Sequence, residues 1–515
     1  MRGSFSLVSR LPSAVRVLPE VVSATKFASR LDAALESASR PAVREQQLRD
    51  AAVLQGHADS VRTCLTAAMA TTHLHTLSRV AAHGAYGYYT IGPCGEELLA
   101  ALALSTRPTD PAALHYRHLG TLVARQLQRG SSLEEVLRDR ARGYTTSIDD
   151  PVTGGVHCSL GADPDYDFLV TSTLASQGPP AVGRALAIAH MPQELWPSDA
   201  ISLVSCGDGS INNSEWLSAI NAAEYIQHRR RGESCRDARP CRRRALTPHC
   251  IAPRSLSAAC PVLFVIADNG ISISLKGHGW TGRWVEQRLG MPLYQADGSN
   301  LAELLSAASG AADYVRTSRA PATLLVNRLP RRFGHAATDR QLAYLSASEV
   351  EAQIACDPVA HAAAAAILAG VVPSLEALLE ENEEIGELAA QAFEAARAEP
   401  REMTRAQLIA RTGPSRTPPR QTAHVDGAEQ RAVATQTEPS EPSNRSGRTR
   451  WEMRPLMTRA LGDLMATDDR VVYVGEDVEH GGYYRVTEGL RDRFGRRRIF
   501  DWPPDEASLI VRATA

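Results

Sequence analysis

Three short apolar runs punctuate this chain, each breaking at polar or glycine residues and separated from the next by longer amphipathic stretches. Residues 201–205 lead into Gly207-Asp208-Gly209, 262–267 into Asp268-Asn269-Gly270, and 322–326 into Arg331-Arg332-Phe333-Gly334-His335. Continuous apolar runs alternating with helical patterns between about 50 and 400 predict buried strands of a parallel α/β layer fold. Trp216, Ile220, Ala223 and Ile226 recur at gaps of 4, 3 and 3, which predicts a helix between the first two strands, ending near Arg229. The Ala/Glu-rich stretch 350–400 predicts further helix.

Two stretches break the pattern. Residues 229–260 hold nine arginines, four cysteines and three prolines with almost no apolar period, and read as an insertion. Cys235, Cys241, Cys250 and Cys260 are spaced too widely and irregularly to predict a zinc site. Residues 401–449 read as a flexible linker, polar and rich in Pro, Thr and Ser from 411 onward. A compact pattern restarts at 450–515: a helix over 453–465, a strand over 470–474, a loop at Gly481-Gly482, then another helix and strand reaching Phe500. That piece reads as the truncated start of a second α/β domain.

Composition narrows the classes. The 515 residues carry 56 basic against 58 acidic side chains and 43% hydrophobics. No run suits a membrane span, and near-zero net charge argues against a nucleic-acid-coating protein. Nine cysteines without a CxxC pair are not a disulfide framework, which makes a reducing compartment the default. Residues 1–49 read as an N-terminal extension. Its first thirty hold Arg2, Arg10, Arg16, Lys26 and Arg30 against a single acid, Glu20, the composition of an organellar transit peptide. The expected location is the mitochondrial matrix, with the cytoplasm as the alternative.

The chemistry sits at the strand ends. In Gly207-Asp208-Gly209-Ser210 the glycines allow close backbone approach and a helix N-terminus offers N–H groups to phosphate. Asp208 and Asn269, at the carboxyl ends of neighbouring strands, supply hard oxygens of the kind Mg²⁺ prefers. No GxGxxG follows a strand, so a nicotinamide dehydrogenase is disfavoured.

These residues resemble the thiamine-diphosphate motif, and their surroundings resemble the α-type subunit of the first, decarboxylating component of 2-oxoacid dehydrogenases. The similar segments run in order: Gly95-Glu96-Glu97, His115-Tyr116-Arg117, Gly154-Gly155-Val156-His157, the strand end 171–177, and Arg332-Phe333-Gly334-His335. Asp208 to Asn269 is longer than the family's separation by about the length of the 229–260 segment. After the linker, Val474-Gly475-Glu476-Asp477-Val478, Gly481-Gly482-Tyr483-Tyr484-Arg485 and Phe500-Asp501, leading to Pro503 and Glu506, resemble the start of the β-type subunit. The chain thus resembles an α–β fusion, closest to the branched-chain enzymes.

The resemblance implies a thiamine-diphosphate-binding fold and assigns roles. Asp208, Asn269 and the Ile271 carbonyl would ligate Mg²⁺. Gly207, Gly209, Ser210, Tyr116, Arg117 and His335 would hold the diphosphate region, and Ser172 and Leu174 would line the aminopyrimidine. Glu506 would bond a pyrimidine nitrogen and, with His335, serve catalysis. The implied reaction is oxidative decarboxylation of a 2-oxoacid, 3-methyl-2-oxobutanoate ahead of pyruvate, with the acyl group passing to a lipoyl-bearing acyltransferase. A β-type subunit or a second copy of the chain would complete the site. The rival reading is a cofactor-binding or subunit-pairing protein, inactive without a separate β-type subunit.

Overall fold

The computed structural model describes residues 11–501 apart from 14, 39–43, 89–90, 156–159, 164, 191–194, 238–258, 337–338, 413–452, 476–477 and 482–484. Glu506, Pro503, His157, most of the linker and most of the 229–260 segment therefore lie outside the described residues. Two units result, divided at Glu402.

The first unit is built on a five-stranded sheet of order β1-β2-β3-β7-β6, parallel throughout. Its strands are β1 (Ala112–Ala113), β2 (Ser202–Gly207), β3 (Val262–Ala267), β6 (Leu293–Asp297) and β7 (Ala322–Asn327). A hairpin of β4 (Ile271–Ser272) and β5 (Leu275–Lys276) follows β3. Every residue of β2 and β3 is buried, because both faces are covered. Leu263 and Val265 join a core with Leu304, Ala308 and Val315 of the helix Leu301–Ser318. Phe264 points the other way, its ring edge-on to Trp216 at 5.5 Å on the helix Ser214–Asp237. A strand covered on both faces reads as an unbroken apolar run, which is why these strands were legible.

The class predicted from sequence, a parallel α/β sheet flanked by helices, is the observed one. Three details differ. The helix expected to end near Arg229 continues to Asp237, since losing the apolar period does not stop a helix until Pro240 nears. The stretch 350–400 is three helices, Ala347–Ala355, Pro358–Leu368 and Leu375–Ala398. Pro358 starts the second, with Asp357 as its N-cap. β6 was not anticipated: its half-exposed LYQAD is neither an apolar run nor an alternation.

Residues 19–38 form two helices that belong to this unit. Phe27, Leu31 and Ala34 join the main core. Arg79 pairs with buried Glu20 at 2.9 Å, while Arg30 and Arg332 converge on Asp357 at 3.2 and 2.7 Å. No helix among the described residues is long and apolar enough to cross a membrane.

In the second unit, β8 (Tyr473–Gly475) and β9 (Ile499–Asp501) pair in parallel, with the helices Met453–Thr467 and Leu490–Phe494. Met465, Val478, Leu490 and Ile499 form its core. The helix–strand–helix–strand order matches the sequence expectation.

Candidate active site

The parallel pairing of β2 with β3 sets Gly207 opposite Ala267, so the two turns that follow leave the sheet side by side. Asp208 opens one and Asp268-Asn269-Gly270 forms the other. Gly209 packs so closely against the second that an added Cβ would stand 2.3 Å from the Ser272 hydroxyl and 3.2 Å from its Cβ. Asp208 accepts the Gly209 N–H at 3.0 Å, and Asn269 Oδ1 accepts the Ile271 N–H at 3.1 Å. The Ile271 carbonyl takes one hydrogen bond, from Arg331 Nη1 at 2.8 Å, leaving a second lone pair.

Three carboxylates crowd this corner. Burial, aided by Asp268 and Glu96, pushes the Asp208 carboxyl up to about 7. Burial likewise raises Asp268. A cation would relieve that congestion. Ser210 Oγ and Arg331 Nη2 are buried without hydrogen-bond partners among the described residues, donors suited to an anion. The residues present therefore fit a divalent cation carrying a phosphate group.

Arg117 and His335 are in contact. Arg117 is 3% exposed. Its Nη1 donates to the Gly92 carbonyl at 2.8 Å and its Nη2 to His335 Nδ1 and the His335 carbonyl, both at 2.9 Å. A guanidinium only donates, so His335 Nδ1 accepts and the neutral ring carries its proton on Nε2. Burial and the cations Arg117 and Arg331 lower the His335 pKa to about 4, which keeps that ring a neutral donor. Tyr116 stacks on His115 with ring centroids 3.9 Å apart.

Ser172 and Leu174 stand exposed on the loop before the helix Gly178–His190. Among the described residues neither is hydrogen-bonded to the two turns. The loop is nonetheless tied to β2, where Gln177 donates to the Ser205 carbonyl at 2.8 Å.

Sequence reasoning missed a supporting network. Asn269 Nδ2 donates to Glu96 Oε1 at 3.0 Å. Glu96 Oε2 lies 3.2 Å from His118 Nε2, and His118 Nδ1 lies 2.7 Å from the Ser205 hydroxyl. Burial would raise the Glu96 carboxyl, but His118, Arg117 and the Asn269 amide outweigh it and hold the group low. The available signal was His115-Tyr116-Arg117-His118, two imidazoles flanking Arg117.

The contact at Gly209 gives a direct test of how the turns cooperate. If these turns seat Mg²⁺ and thiamine diphosphate, Gly209→Ala should weaken that binding about tenfold, roughly 1.4 kcal/mol, by forcing β4 away. Adding Ser272→Ala removes the hydroxyl in the way and should restore most of the affinity in calorimetry. Equal binding by Gly209→Ala and the parent would refute the coupling.

The site so built lies at the carboxyl edge of the parallel sheet of an α/β protein, where two turns bring acidic groups and buried donors together. Over 59 residues, 11% of this chain and 17% of the relative, the sequence is 54% identical to the 3-methyl-2-oxobutanoate dehydrogenase subunit beta of Mycobacterium tuberculosis. It is 38% identical over 66 residues to the 2-oxoisovalerate dehydrogenase subunit beta of Pseudomonas aeruginosa, covering 13% and 19%. Over 58 residues it is 40% identical to the pyruvate dehydrogenase E1 component subunit beta of Chlorokybus atmophyticus, covering 11% and 17%. A stretch of about 60 residues is thus related to β subunits of 2-oxoacid dehydrogenases, while the chain spans less than a fifth of the length of these curated relatives. No protein-family model matches the chain.

Proposed function

We propose that this chain is a thiamine-diphosphate- and Mg²⁺-dependent component of a 2-oxoacid dehydrogenase, an α-type unit joined to β-type sequence. The observation that carries the reading is the juxtaposition of the Asp208 and Asn269 turns at adjacent parallel strand ends, where a cation would relieve the burial and crowding that raise the Asp208 carboxyl. The kinship to dehydrogenase β subunits supports it independently, and we assign the matched stretch to the segment after Trp451.

In this reading Asp208, Asn269 and the Ile271 carbonyl hold Mg²⁺, while Arg117, His335 and the Gly207–Ser210 turn hold the diphosphate. Ser172 and Leu174 border the aminopyrimidine side. Glu506 of a second copy of the chain would supply, in trans, the carboxylate that orients that ring. The bound cofactor supplies the electron sink for loss of CO₂ from a 2-oxoacid. The protein's own share is to keep His335 neutral and donating and to fix Arg117 between Gly92 and His335. The acyl group goes to a lipoyl-bearing acyltransferase. The branched-chain acid 3-methyl-2-oxobutanoate is the favoured substrate and pyruvate the alternative, as both kinds of relative occur. The mitochondrial matrix is the proposed location.

Decarboxylation of 3-methyl-2-oxobutanoate and of pyruvate by the full chain, alone and with a separate β-type subunit, tests this reading. Turnover of the branched acid at more than about ten times the pyruvate rate is expected. Preference for pyruvate overturns the substrate assignment. Activity that appears only with the added subunit favours the rival reading of a pairing protein.

A further inference from the structure

Glu96, His115 and His118 form a second constellation that the proposed reaction leaves without a task of its own. All three side chains are buried, and one ligand atom from each lies within 4.8 Å of the other two. His118 Nε2 and Glu96 Oε2 are 3.2 Å apart, yet neither has a hydrogen-bond partner among the described residues. Their 3.2 Å ion-pair separation is also the spacing of two ligands on one ion. Donors about 2.0–2.1 Å from a tetrahedral centre stand about 3.3 Å from one another.

The surroundings are those of metal-bound imidazoles. The Ser205 hydroxyl accepts the His115 backbone N–H at 2.9 Å and lies 2.7 Å from His118 Nδ1. One hydroxyl thereby fixes the ring of His118 and the backbone of His115, the outer-shell support that orients a ligating histidine. Glu96 Oε1 is engaged by the Asn269 amide, which leaves Oε2 turned toward the imidazoles. Burial, with His118, Arg117 and His335, holds His115 neutral.

We propose that Glu96, His115 and His118 hold a transition-metal ion, Zn²⁺ by the character of the donors, in a seat distinct from that of Asp208 and Asn269. Two imidazoles and one carboxylate select zinc over magnesium, which takes oxygen ligands. The ion braces the loop carrying Arg117, and through Glu96 it holds the Asn269 amide in place. Its presence does not depend on the thiamine-diphosphate reading.

The test uses the full chain, stripped with chelator and reloaded with Zn²⁺ or Co²⁺ alone. About one equivalent of Zn²⁺ should survive gel filtration, and the Co²⁺ form should show the visible bands of a low-coordinate nitrogen–oxygen site. His115→Asn/His118→Asn should lose both signals and Asp208→Ala should keep both. Zinc retention unchanged by the histidine pair, or lost in Asp208→Ala and kept in the pair, overturns the proposal. So does a sulfur-to-cobalt charge-transfer band, which would put the ion on cysteines. Should the histidine pair fail to fold, the spectrum of the parent decides: bands of a six-coordinate ion, or no retained cobalt, contradict it.

Discussion

Asp208→Ala is expected to abolish stabilisation by thiamine diphosphate and Mg²⁺ while making the cation-free protein more stable at neutral pH. The first effect follows from removing the carboxylate that the proposed function assigns to Mg²⁺. A ligand at about 100 times its Kd stabilises a fold by about 2.7 kcal/mol; the variant should show none of that gain in a thermal shift. The second effect follows from the crowding. The Asp208 carboxyl is raised from 3.8 to about 7 by burial, Asp268 and Glu96, so the folded protein holds a proton that the unfolded chain releases. That contribution to stability is complete below about pH 4 and is lost as pH rises through about 7. With a half-buried group the loss is on the order of 2 kcal/mol. Urea unfolding in chelator should therefore place Asp208→Ala above the parent at about pH 8, and not at about pH 4. A variant no more stable at the higher pH would contradict the electrostatic account of the seat.

Arg125→Met should be the most damaging single change away from the site. Arg125 is fully buried, and its Nε donates to Asp167 at 2.5 Å. Its Nη2 donates to the Asp110 carbonyl at 2.6 Å and its remaining N–H groups reach the Arg107 and Pro108 carbonyls at 3.3 Å. Asp167 lies in the bridge beside β1, where the Phe168 N–H meets the Ala112 carbonyl at 2.9 Å. Methionine fills the volume but withdraws every one of these donors; the Arg107 carbonyl keeps the Asp110 N–H and Asp167 keeps Arg129. Breaking a buried pair from one side costs about 3–5 kcal/mol. Calorimetric melting several degrees below the parent is the expected result, and a change under about 1 kcal/mol would contradict it.

The sheet was legible where burial on both faces writes an unbroken apolar run, as in β2, β3 and β7. It was illegible at β6, which is half exposed, and at the two-residue β1. In the N-terminal segment, Phe27, Leu31 and Ala34 fall at gaps of 4 and 3 and pack into the core, a short helical period that its arginines and serines obscure. The strand-end turns Gly207-Asp208-Gly209 and Asp268-Asn269 were readable because their residues are local in sequence, whereas Tyr116-Arg117 was singled out by resemblance. The meeting of Arg117 with His335, 218 residues on, came from resemblance alone. The Glu96–His118–Ser205 network was invisible because nothing in one sequence pairs residues so far apart.

Titrating the full chain with thiamine diphosphate in a calorimeter, with Mg²⁺ and then with chelator, tests the central claim most directly. Saturable binding near one cofactor per chain that disappears with the metal is the predicted result. Binding indifferent to Mg²⁺, or none at all, would mean that the two turns do not form the seat described.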